Sequence, residues 1–442
     1  MCAIFGVFHA KKAAELCVIG LHANQHRAMD YVGIVSSDGA HLYRERGAGL
    51  ARQVFSESAI LTRLHGLDAL GHIRYPTVAD EESRDNIQPV MGIYGRKQIA
   101  IAHNGNITNT KEIREQFPSI RCATSLDTEY ILRLLEIFET GDIEKDIGKV
   151  CSHLKGSFAF GVLSVDRMIA IQDPHGNRPL SIGESNGSHF ISSENAAFAN
   201  VGAKWVCDVR PGSMVTIDAE GLTERRYAQG SEKKCRFEAI YYGHPSSTIF
   251  GERVTQFRVA LGEALEVTCP AHDADFVMGV PDSAILIAMG YGKSGASGTY
   301  FPMIFRNHYV GRSFLAAKQA QRDDIVSQKL QFTADEIYGR KIVVVDDSIV
   351  RGTTTIKFVR VLRFLGAREI HLRIACPPIK HPCTYGINTP TYDELIAAQK
   401  SVEEIRKTVG ADSLEYLPLE VLKQMSPNPE LFCYACMDGT YW

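Results

Sequence analysis

Two adjacent carboxylates follow an apolar stretch in the second half of the chain, and a threonine-rich loop comes after them. Residues 342–345 are apolar and β-branched, Asp346 and Asp347 come next, and a helical pattern runs over 356–365. Parallel sheets bind ligands at the carboxyl ends of their strands, which is where these acids are predicted to lie. The loop residues that offer hydroxyl or backbone N–H groups are Ser348, Gly352, Thr353 and Thr354.

This pattern favours a ribose phosphate as the ligand. Carboxylates suit the sugar hydroxyls, while N–H groups, hydroxyls and a helix N-terminus suit the phosphate. The loop contains no Gly-Lys-Ser or Gly-Lys-Thr, so it is not a Walker loop. In the alternative interpretation the Asp and Thr side chains only cap the helix, a role that needs neither paired acids nor a run of threonines. Upstream, Ser283 closes the segment 279–283, which is either a second ligand loop or a plain structural turn.

A second set of candidate residues lies in the first half. Cys2 directly follows the initiator methionine, and its small side chain permits removal of that methionine. The chain would then begin with a thiol beside a free α-amine, whose pKa of about 7.7–8.0 suits the base that activates a nucleophile. A cysteine at position two says little alone, so its interpretation depends on the residues that accompany it.

Three further motifs of the first half carry suitable chemistry. Arg74 suits bidentate binding of a carboxylate. Asn104 and Gly105 follow a predicted strand and offer an amide and a backbone N–H to an oxyanion. Asp127 opens a predicted helix and suits a substrate ammonium. Each also has a structural alternative, with Arg74 as a surface charge and Asp127 as a helix N-cap only.

The elements that position these residues change in character along the chain. Short alternating segments dominate the first half, interrupted by helical patterns over 14–24 and 127–138. A polar stretch over 228–234 separates the halves, and we place a domain boundary near residue 230. In the second half, short apolar strands alternate with helical segments, which indicates a parallel sheet with covering helices. Those strands are predicted at 274–280, 342–345 and 370–375, and amphipathic helical patterns follow over 391–409 and 414–425.

Composition bounds the class of protein. The chain has 442 residues, 45% of them apolar and 22% charged, which indicates two sizeable cores and no disorder. The net charge of −3 gives no general affinity for nucleic acid. No apolar run approaches the roughly 18 residues of a membrane span, and the N-terminus lacks the features of a signal peptide. We therefore predict a cytoplasmic protein whose 11 cysteines are thiols or metal ligands.

Taken together, the two sets of residues resemble a known family. The segment 342–355 is similar to the phosphoribosyl pyrophosphate (PRPP) signature of type I phosphoribosyltransferases. Cys2 and its companions resemble the glutaminase domain of class II, N-terminal-nucleophile amidotransferases. In this order the two domains resemble the glutamine PRPP amidotransferases, which catalyse the first step of purine synthesis. The resemblance runs nearly end to end, with further matches at 173–180, 192–194, 209–212, 309–312 and 377–380.

The resemblance implies a two-domain α/β and α+β fold. Residues 2–230 would form an αββα sandwich with glutaminase activity, and residues 231–442 a parallel-sheet phosphoribosyltransferase domain with a cysteine-bearing tail. It implies glutamine and PRPP as substrates, Mg²⁺ as a cofactor, a homo-oligomer (dimer or tetramer) and purine nucleotides as possible feedback ligands. The products would be 5-phosphoribosylamine, glutamate and pyrophosphate.

The resemblance also implies residue roles. Cys2 would be the nucleophile, Asn104 and Gly105 the oxyanion donors, and Arg74 and Asp127 the clamp on the glutamine α-carboxylate and α-amine. Asp346 and Asp347 would hold magnesium with Ser283. The residues implied to bind PRPP are Asp346, Asp347, Ser348, Gly352, Thr353 and Thr354.

The last motif, Cys433 and Cys436, is a CxxC pair near the C-terminus. By itself it is compatible with a redox, zinc or non-functional pair, because spacing cannot select its partners. The iron–sulfur branch of the family has two further ligands, which correspond here to Cys235 and Cys383. The resemblance therefore implies a structural [4Fe-4S] cluster, with a zinc or an empty site as the alternative.

Several positions depart from the family pattern and keep a second hypothesis open, a diverged amidotransferase with another phosphoribosyl or amine-accepting substrate. The departing residues are Ala28 and Met29, which follow Arg27, Ile73 and Pro76, which flank Arg74, and Gln172, which precedes the Asp-Pro motif. In the loop 305–329, which closes over PRPP in the family, Asp323 and Asp324 replace cations and predict weaker PRPP binding and looser coupling. A non-catalytic PRPP sensor is disfavoured, because no helix-turn-helix pattern precedes the glutaminase motifs.

Overall fold

The computed structural model describes residues 2–75, 84–307, 330–389 and 391–442. The described strands of the first half are β1 (Ala3–Phe8), β2 (Tyr31–Ser37), β3 (Leu42–Ala48), β4 (Asp68–Arg74), β5 (Val90–Tyr94), β6 (Lys97–Ile107), β7 (Gly156–Ser164), β8 (Met168–Gln172), β9 (Ser181–Ser185), β10 (Ser188–Ser192), β11 (Lys204–Asp208), β12 (Ser213–Asp218) and β13 (Gly221–Arg226). Its described helices are α1 (Ala13–Ala23), α2 (Ala51–Val54), α3 (Ser58–Leu61), α4 (Thr110–Gln116), α5 (Thr128–Phe138), α6 (Ile143–His153) and α7 (Ala196–Asn200).

In the described part of the first half, these strands form two stacked antiparallel sheets. The strand orders are β11-β9-β10-β1-β4-β2-β3 and β13-β12-β8-β7-β6-β5. Strand β1 shows how the sequence builds the layers, because both of its faces are buried. Phe5 packs with α1, while Ile4 packs with Leu70 and Ile182 between the sheets. Helices α5 and α6 cover the second sheet, so the predicted αββα sandwich is confirmed.

The second half begins with β14 (Lys234–Cys235) and a π-helix, Glu238–Tyr242. Its other described strands are β15 (Thr248–Ile249), β16 (Glu252–Arg253), β17 (Phe276–Gly279), β18 (Thr299–Tyr300), β19 (Ile304–Arg306), β20 (Leu330–Phe332), β21 (Lys341–Asp346), β22 (Glu369–Ile374), β23 (Ser413–Tyr416) and β24 (Phe432–Cys433). Its described helices are α8 (Val254–Thr268), α9 (Ile285–Tyr291), α10 (Ala334–Ile337), α11 (Thr353–Phe364), α12 (Ile396–Gln399), α13 (Val402–Val409), α14 (Leu419–Gln424) and α15 (Ala435–Asp438).

The main sheet of this half is parallel, as predicted, with the order β18-β17-β21-β22-β23. Alternate residues of β21 enter two different cores. Val343 and Val345 pack against α8 and α9, whereas Val344 packs against α11 and α13. Burial on both faces explains the unbroken apolar run that precedes Asp346. The run therefore delivers Asp346 and Asp347 to the carboxyl edge of the sheet.

One prediction about secondary structure is wrong in part near the C-terminus. The pattern over 414–425 predicts a helix, but its first residues belong to β23, which extends the parallel sheet beside β22. The helical prediction over 391–409 is confirmed, with the segment divided into a 3₁₀ turn (Tyr392–Glu394), α12 and α13. Ser401 explains the second division, because its side chain accepts from Glu404 N and starts α13 with a capping box.

Other expectations concern residues outside the described ranges. These are Pro76, the 309–312 motif and the acidic positions Asp323 and Asp324 of the predicted closing loop. Of that loop, 305–329, the structure describes only residues 305–307. The proposed domain boundary near residue 230 falls between β13 and β14. Among the described helices, none combines the length and the apolar character needed to cross a bilayer.

Candidate active site

Cys2 and Arg74 lie side by side at the ends of two central strands of the first sheet. Strand β1 pairs with β4 so that Ala3 lies opposite Ile73, which places Cys2 beside Arg74 on the neighbouring strand. Cys2 is partly buried and Arg74 is buried. The main-chain carbonyl of Cys2 accepts a hydrogen bond from Arg27 Nε at 3.1 Å. Cys2, Arg27 and Arg74 therefore lie together, and this group of residues is called the thiol corner below.

Strand β6 of the facing sheet carries the predicted oxyanion donors. Asn104 and Gly105 lie within this strand, rather than after it as the sequence suggested, because β6 stays paired with β7 up to Ile107. The amide nitrogen of Asn104 is buried and has no hydrogen-bond partner among the described residues. A Cβ on Gly105 would lie 2.0 Å from the carbonyl oxygen of Ser157, so only glycine fits. A buried donor without a partner is what a transient oxyanion requires.

Asp127 combines a capping role with a place near this corner. Its carboxylate accepts from the backbone N–H groups of Thr128 and Ile107, each at 2.8 Å, and lies 3.7 Å from His103 Nδ1. Burial alone would raise the pKa of Asp127, but His103 and the two N–H groups outweigh it and lower that pKa. Burial alone would lower the pKa of His103, but the charge of Asp127 outweighs burial and raises that pKa. Cys2 is close enough to add to the rise. Asp127 is therefore an ionised acid at the N-terminus of α5.

The acidic pair sits where the sequence predicted, at the end of β21. Asp347 accepts hydrogen bonds from Ser283 Oγ at 2.5 Å and from Ser348 Oγ at 2.6 Å, which brings the two predicted ligand loops together. Burial, and then the charge of Asp347, raise the pKa of Asp346 well above its ordinary value. Gly352 adopts a left-handed φ of 76° immediately before α11, so the threonines form the first turn of that helix.

A cavity of about 840 Å³ extends between the two halves. Its lining includes Arg27 and Tyr75 from the first half and the loop 346–355 from the second. Cys2 and Asn104 do not line it in the described part of the chain, although Arg27 contacts Cys2 directly. The cavity therefore reaches from the edge of the thiol corner to the acidic pair.

Four of the cysteines gather at the junction of the two halves. Strand β14 pairs in parallel with β24, which sets Cys235 opposite Cys433. Cys436 lies close enough to Cys235, Cys383 and Cys433 for their charges to affect it. Burial raises the pKa of the Cys235 thiol to about 11 and that of Cys436 well above its ordinary value. Nowhere in the described ranges do three His, Cys, Asp or Glu side chains converge as ligands of a single metal ion.

A buried ion network, which the sequence patterns did not predict, is made of Arg27, Arg178, Glu194 and Glu238. Each of these side chains is at most 1% exposed, and their guanidinium and carboxylate groups lie 2.6–3.0 Å apart. Glu194 also accepts from His244 N at 2.8 Å and from Ser247 Oγ at 2.6 Å. Glu238 is a single acid in an apolar stretch, and that pattern could have indicated a buried partner.

The departures from the family pattern have different structural settings. Ile73 is fully buried in the core under α1, so it does not replace a polar group in the cavity. Met29 does line the cavity, beside Arg27. Gln172 is buried and donates to the carbonyl oxygen of Arg178 at 2.7 Å, close to the ion network. Of these three, Met29 is the one that faces the cavity.

Curated proteins match the chain from end to end. The chloroplastic amidophosphoribosyltransferase of Glycine max is 40% identical over 448 residues, which cover 100% of this chain and 78% of that protein. The amidophosphoribosyltransferase of Bacillus subtilis (strain 168) is 38% identical over 450 residues, which cover 100% and 94%. The chain belongs to the amidophosphoribosyltransferase family. A family model described as a glutamine amidotransferase domain also matches residues 74–200.

Solved structures extend the amidophosphoribosyltransferase assignment to the whole fold. One is described as the allosteric regulatory enzyme of purine biosynthesis, with a TM-score of 0.93, 38% identity and coverage of 100% of this chain and 96% of that one. Another is the glutamine PRPP amidotransferase of B. subtilis in complex with ADP and GMP, with a TM-score of 0.92, 38% identity and coverage of 100% and 97%. The predicted function is confirmed: the chain is an enzyme of the first step of purine synthesis.

Proposed function

We propose that this enzyme makes 5-phosphoribosylamine at two centres, one that releases ammonia at Cys2 and one that consumes it at Asp346 and Asp347. The observation that carries the proposal is the cavity of about 840 Å³, which is lined from both halves. Ammonia released into bulk water would be protonated and lost, so a cavity that reaches from Arg27, which contacts Cys2, to the acidic pair serves the reaction. The test is to incubate the protein with PRPP, Mg²⁺ and glutamine and to measure glutamate and pyrophosphate together. Equal rates support the proposal, and glutamate without pyrophosphate would contradict it.

At the first centre, the α-amine exposed by loss of Met1 takes the proton of the Cys2 thiol. The thiolate then attacks the side-chain amide carbon of glutamine, and the resulting oxyanion is bound by Asn104 Nδ2 and the N–H of Gly105. The α-ammonium gives its proton to the amide nitrogen, collapse breaks the C–N bond and releases ammonia, and water then hydrolyses the thioester to glutamate and restores the thiol. Arg74 and Asp127 bind the α-carboxylate and the α-ammonium, since Asp127 is an ionised acid beside this corner.

At the second centre, ammonia attacks C1 of the ribose, the bond to pyrophosphate breaks, and one proton is released. We assign the 5′-phosphate to the loop that starts α11 and the ribose hydroxyls to the acidic pair. The residues proposed to bind PRPP are Asp346, Asp347, Ser348, Gly352, Thr353 and Thr354. The left-handed Gly352 lets the loop turn tightly enough for its N–H groups to point at the phosphate.

Magnesium fits the acidic pair. Burial raises the pKa of both carboxylates, and the charge of Asp347 raises that of Asp346 further, so a divalent cation with oxygen ligands would offset the cost of holding two buried negative charges together. Ser283 is bonded to Asp347 and would complete the oxygen set. When bound, the ion would neutralise charge on pyrophosphate as it leaves.

The four cysteines match the ligand set of an iron–sulfur cluster. Thiols whose pKa is raised by burial are costly to ionise unless a metal centre binds them. Cys235 lies opposite Cys433, and Cys436 is close enough to Cys235, Cys383 and Cys433 for their charges to affect it. We therefore propose a structural [4Fe-4S] cluster on Cys235, Cys383, Cys433 and Cys436.

The cluster makes a direct prediction. Protein purified without oxygen should be brown and contain about four iron and four sulfide per chain. Cys436→Ser should lower both the iron content and the melting temperature, because the replacement removes one cluster ligand from the junction of the halves. Cys269→Ser, a change to a buried thiol outside the group, serves as the control and should keep the iron. Stoichiometric zinc without iron would contradict the cluster.

The oxyanion role of Asn104 makes another prediction. Asn104→Ala should lower kcat for glutamine hydrolysis by about 10²–10³-fold, because the amide donor acts mainly in the transition state. KM for glutamine should change little, and ammonia-dependent synthesis should persist. Asn109→Ala, which removes an amide that bonds His153 and Lys155 instead, is the matched control. A rise in KM with unchanged kcat would assign Asn104 to substrate binding only.

Several wider features belong to the same proposal. We place the domain boundary near residue 230, between β13 and β14. Purine nucleotides are proposed as regulatory ligands, because the B. subtilis relative was solved with ADP and GMP. A homo-oligomer and a cytoplasmic location complete it, the latter supported by cysteines that form no disulfide in the described chain.

A further inference from the structure

Glu238 joins the two halves at the nucleophile. It belongs to the second half, at the start of the π-helix Glu238–Tyr242, and its side chain is fully buried. Its two oxygens accept from Arg27 of the first half, Oε2 from Nη1 at 2.9 Å and Oε1 from Nη2 at 2.8 Å. Oε1 also accepts from Arg178 Nη1 at 3.0 Å. This bidentate geometry fixes the plane of the Arg27 guanidinium.

The same guanidinium holds the residue that carries the thiol. Arg27 Nε donates to the main-chain carbonyl of Cys2, while its terminal nitrogens are engaged by Glu194 and Glu238. Any rotation of the guanidinium therefore moves its bond to Cys2. We propose that Glu238 is a positioning residue for Cys2, supplied by the second half and acting through Arg27. This inference rests on the proposed role of Cys2 as the nucleophile.

Charge balance in the network explains why Glu238 is needed. The buried guanidinium groups of Arg27 and Arg178 are matched by the carboxylates of Glu194 and Glu238. Without the charge of Glu238, Arg178 would lose the carboxylate it contacts, and Arg27 would keep Glu194, which also bonds His26, His244 N and Ser247 Oγ. With Glu194 as its remaining carboxylate partner, the Arg27 guanidinium would lose the bidentate contact that fixes its plane.

The segment that carries Glu238 is itself held firmly. Arg258 donates to the carbonyls of Ala239, Tyr241 and Gly243 at 2.8–3.0 Å. Arg258 lines the cavity beside the acidic pair, and the charge of Asp347 acts on it. Glu238 therefore projects from a stretch of backbone that is fixed on its other side near the second centre. A rigid support is what positioning of a nucleophile requires.

The test compares two rates in one sample of Glu238→Gln, which keeps the shape of the side chain and removes its charge. The glutamine-dependent rate should fall by about tenfold to a hundredfold through kcat, whereas the ammonia-dependent rate should persist. Their ratio does not depend on how much of the protein is folded. Alkylation of Cys2 by iodoacetamide, followed by peptide mass spectrometry, should slow in parallel. Glu252→Gln removes the carboxylate partner of another buried arginine, Arg236, and should leave the ratio unchanged.

A second variant tests the inference if Glu238→Gln does not fold. Glu238→Asp keeps the charge, but its shorter side chain cannot reach both Arg27 and Arg178, so the ratio should fall here as well. A wild-type ratio and alkylation rate in either folded variant would overturn the inference. Failure of the proposed function gives a different result: the wild-type enzyme itself would then show no alkylation-sensitive glutaminase activity at Cys2.

Discussion

Cys2→Ala should abolish glutamine-dependent synthesis and leave ammonia-dependent synthesis intact. The expected loss is about a thousandfold or more, the scale observed when a covalent nucleophile is removed from an enzyme. The physical reason is that the two centres are separate. Cys2 lies at the N-terminal end of β1 in the first sheet, while the acidic pair lies at the carboxyl end of β21 in the parallel sheet. Rates with glutamine and with ammonium chloride, measured at saturating PRPP, check this result.

Two comparisons make the Cys2 result specific. Cys122→Ala removes another partly buried thiol of the first half and should keep both rates. Mass spectrometry of the intact wild-type chain should show that Met1 is absent, because the α-amine of Cys2 is the proposed base. Loss of the ammonia-dependent rate in folded Cys2→Ala would show that Cys2 supports both centres. A remaining glutamine-dependent rate would show that another residue is the nucleophile.

Asp346→Asn should give the opposite pattern. Synthesis from either nitrogen source should fall by at least about a hundredfold, because the variant removes a charge proposed to hold Mg²⁺ and the ribose where charge develops. Hydrolysis of glutamine alone should continue, since the thiol corner is untouched. Pyrophosphate release with ammonia, and glutamate release without PRPP, are the two measurements.

The matched control for Asp346 is an acid that contacts the other end of β21. Asp275 directly precedes β17 and accepts from the backbone N–H of Lys341, where β21 begins, so Asp275→Asn removes an acid that contacts β21 without touching the cavity. It should retain PRPP-dependent synthesis. Equal losses in both variants would mean that stability of β21, rather than the ligand chemistry of Asp346, explains the effect.

Local sequence was sufficient for the motifs that depend on a single strand and its following loop. The run 342–347 identified both a doubly buried strand and the acids at its end, because burial on both faces demands uninterrupted apolar residues. The same logic failed for 414–425, where apolar residues of β23 have a spacing that also suits a helix. Pairing with β22 decided between the two, and no residue of the segment reports that pairing.

The sequence by itself therefore determined the two chemistries, the fold class and the residues that resemble those of the family. Only the tertiary structure decided how these residues meet. It placed Arg74 beside Cys2, left the amide nitrogen of Asn104 without a hydrogen-bond partner among the residues that the structure describes, and brought Glu238 to Arg27 across 211 positions of the chain. The reason is physical: a motif records short-range geometry, whereas a buried ion pair is specified by desolvation and by packing of elements distant in sequence.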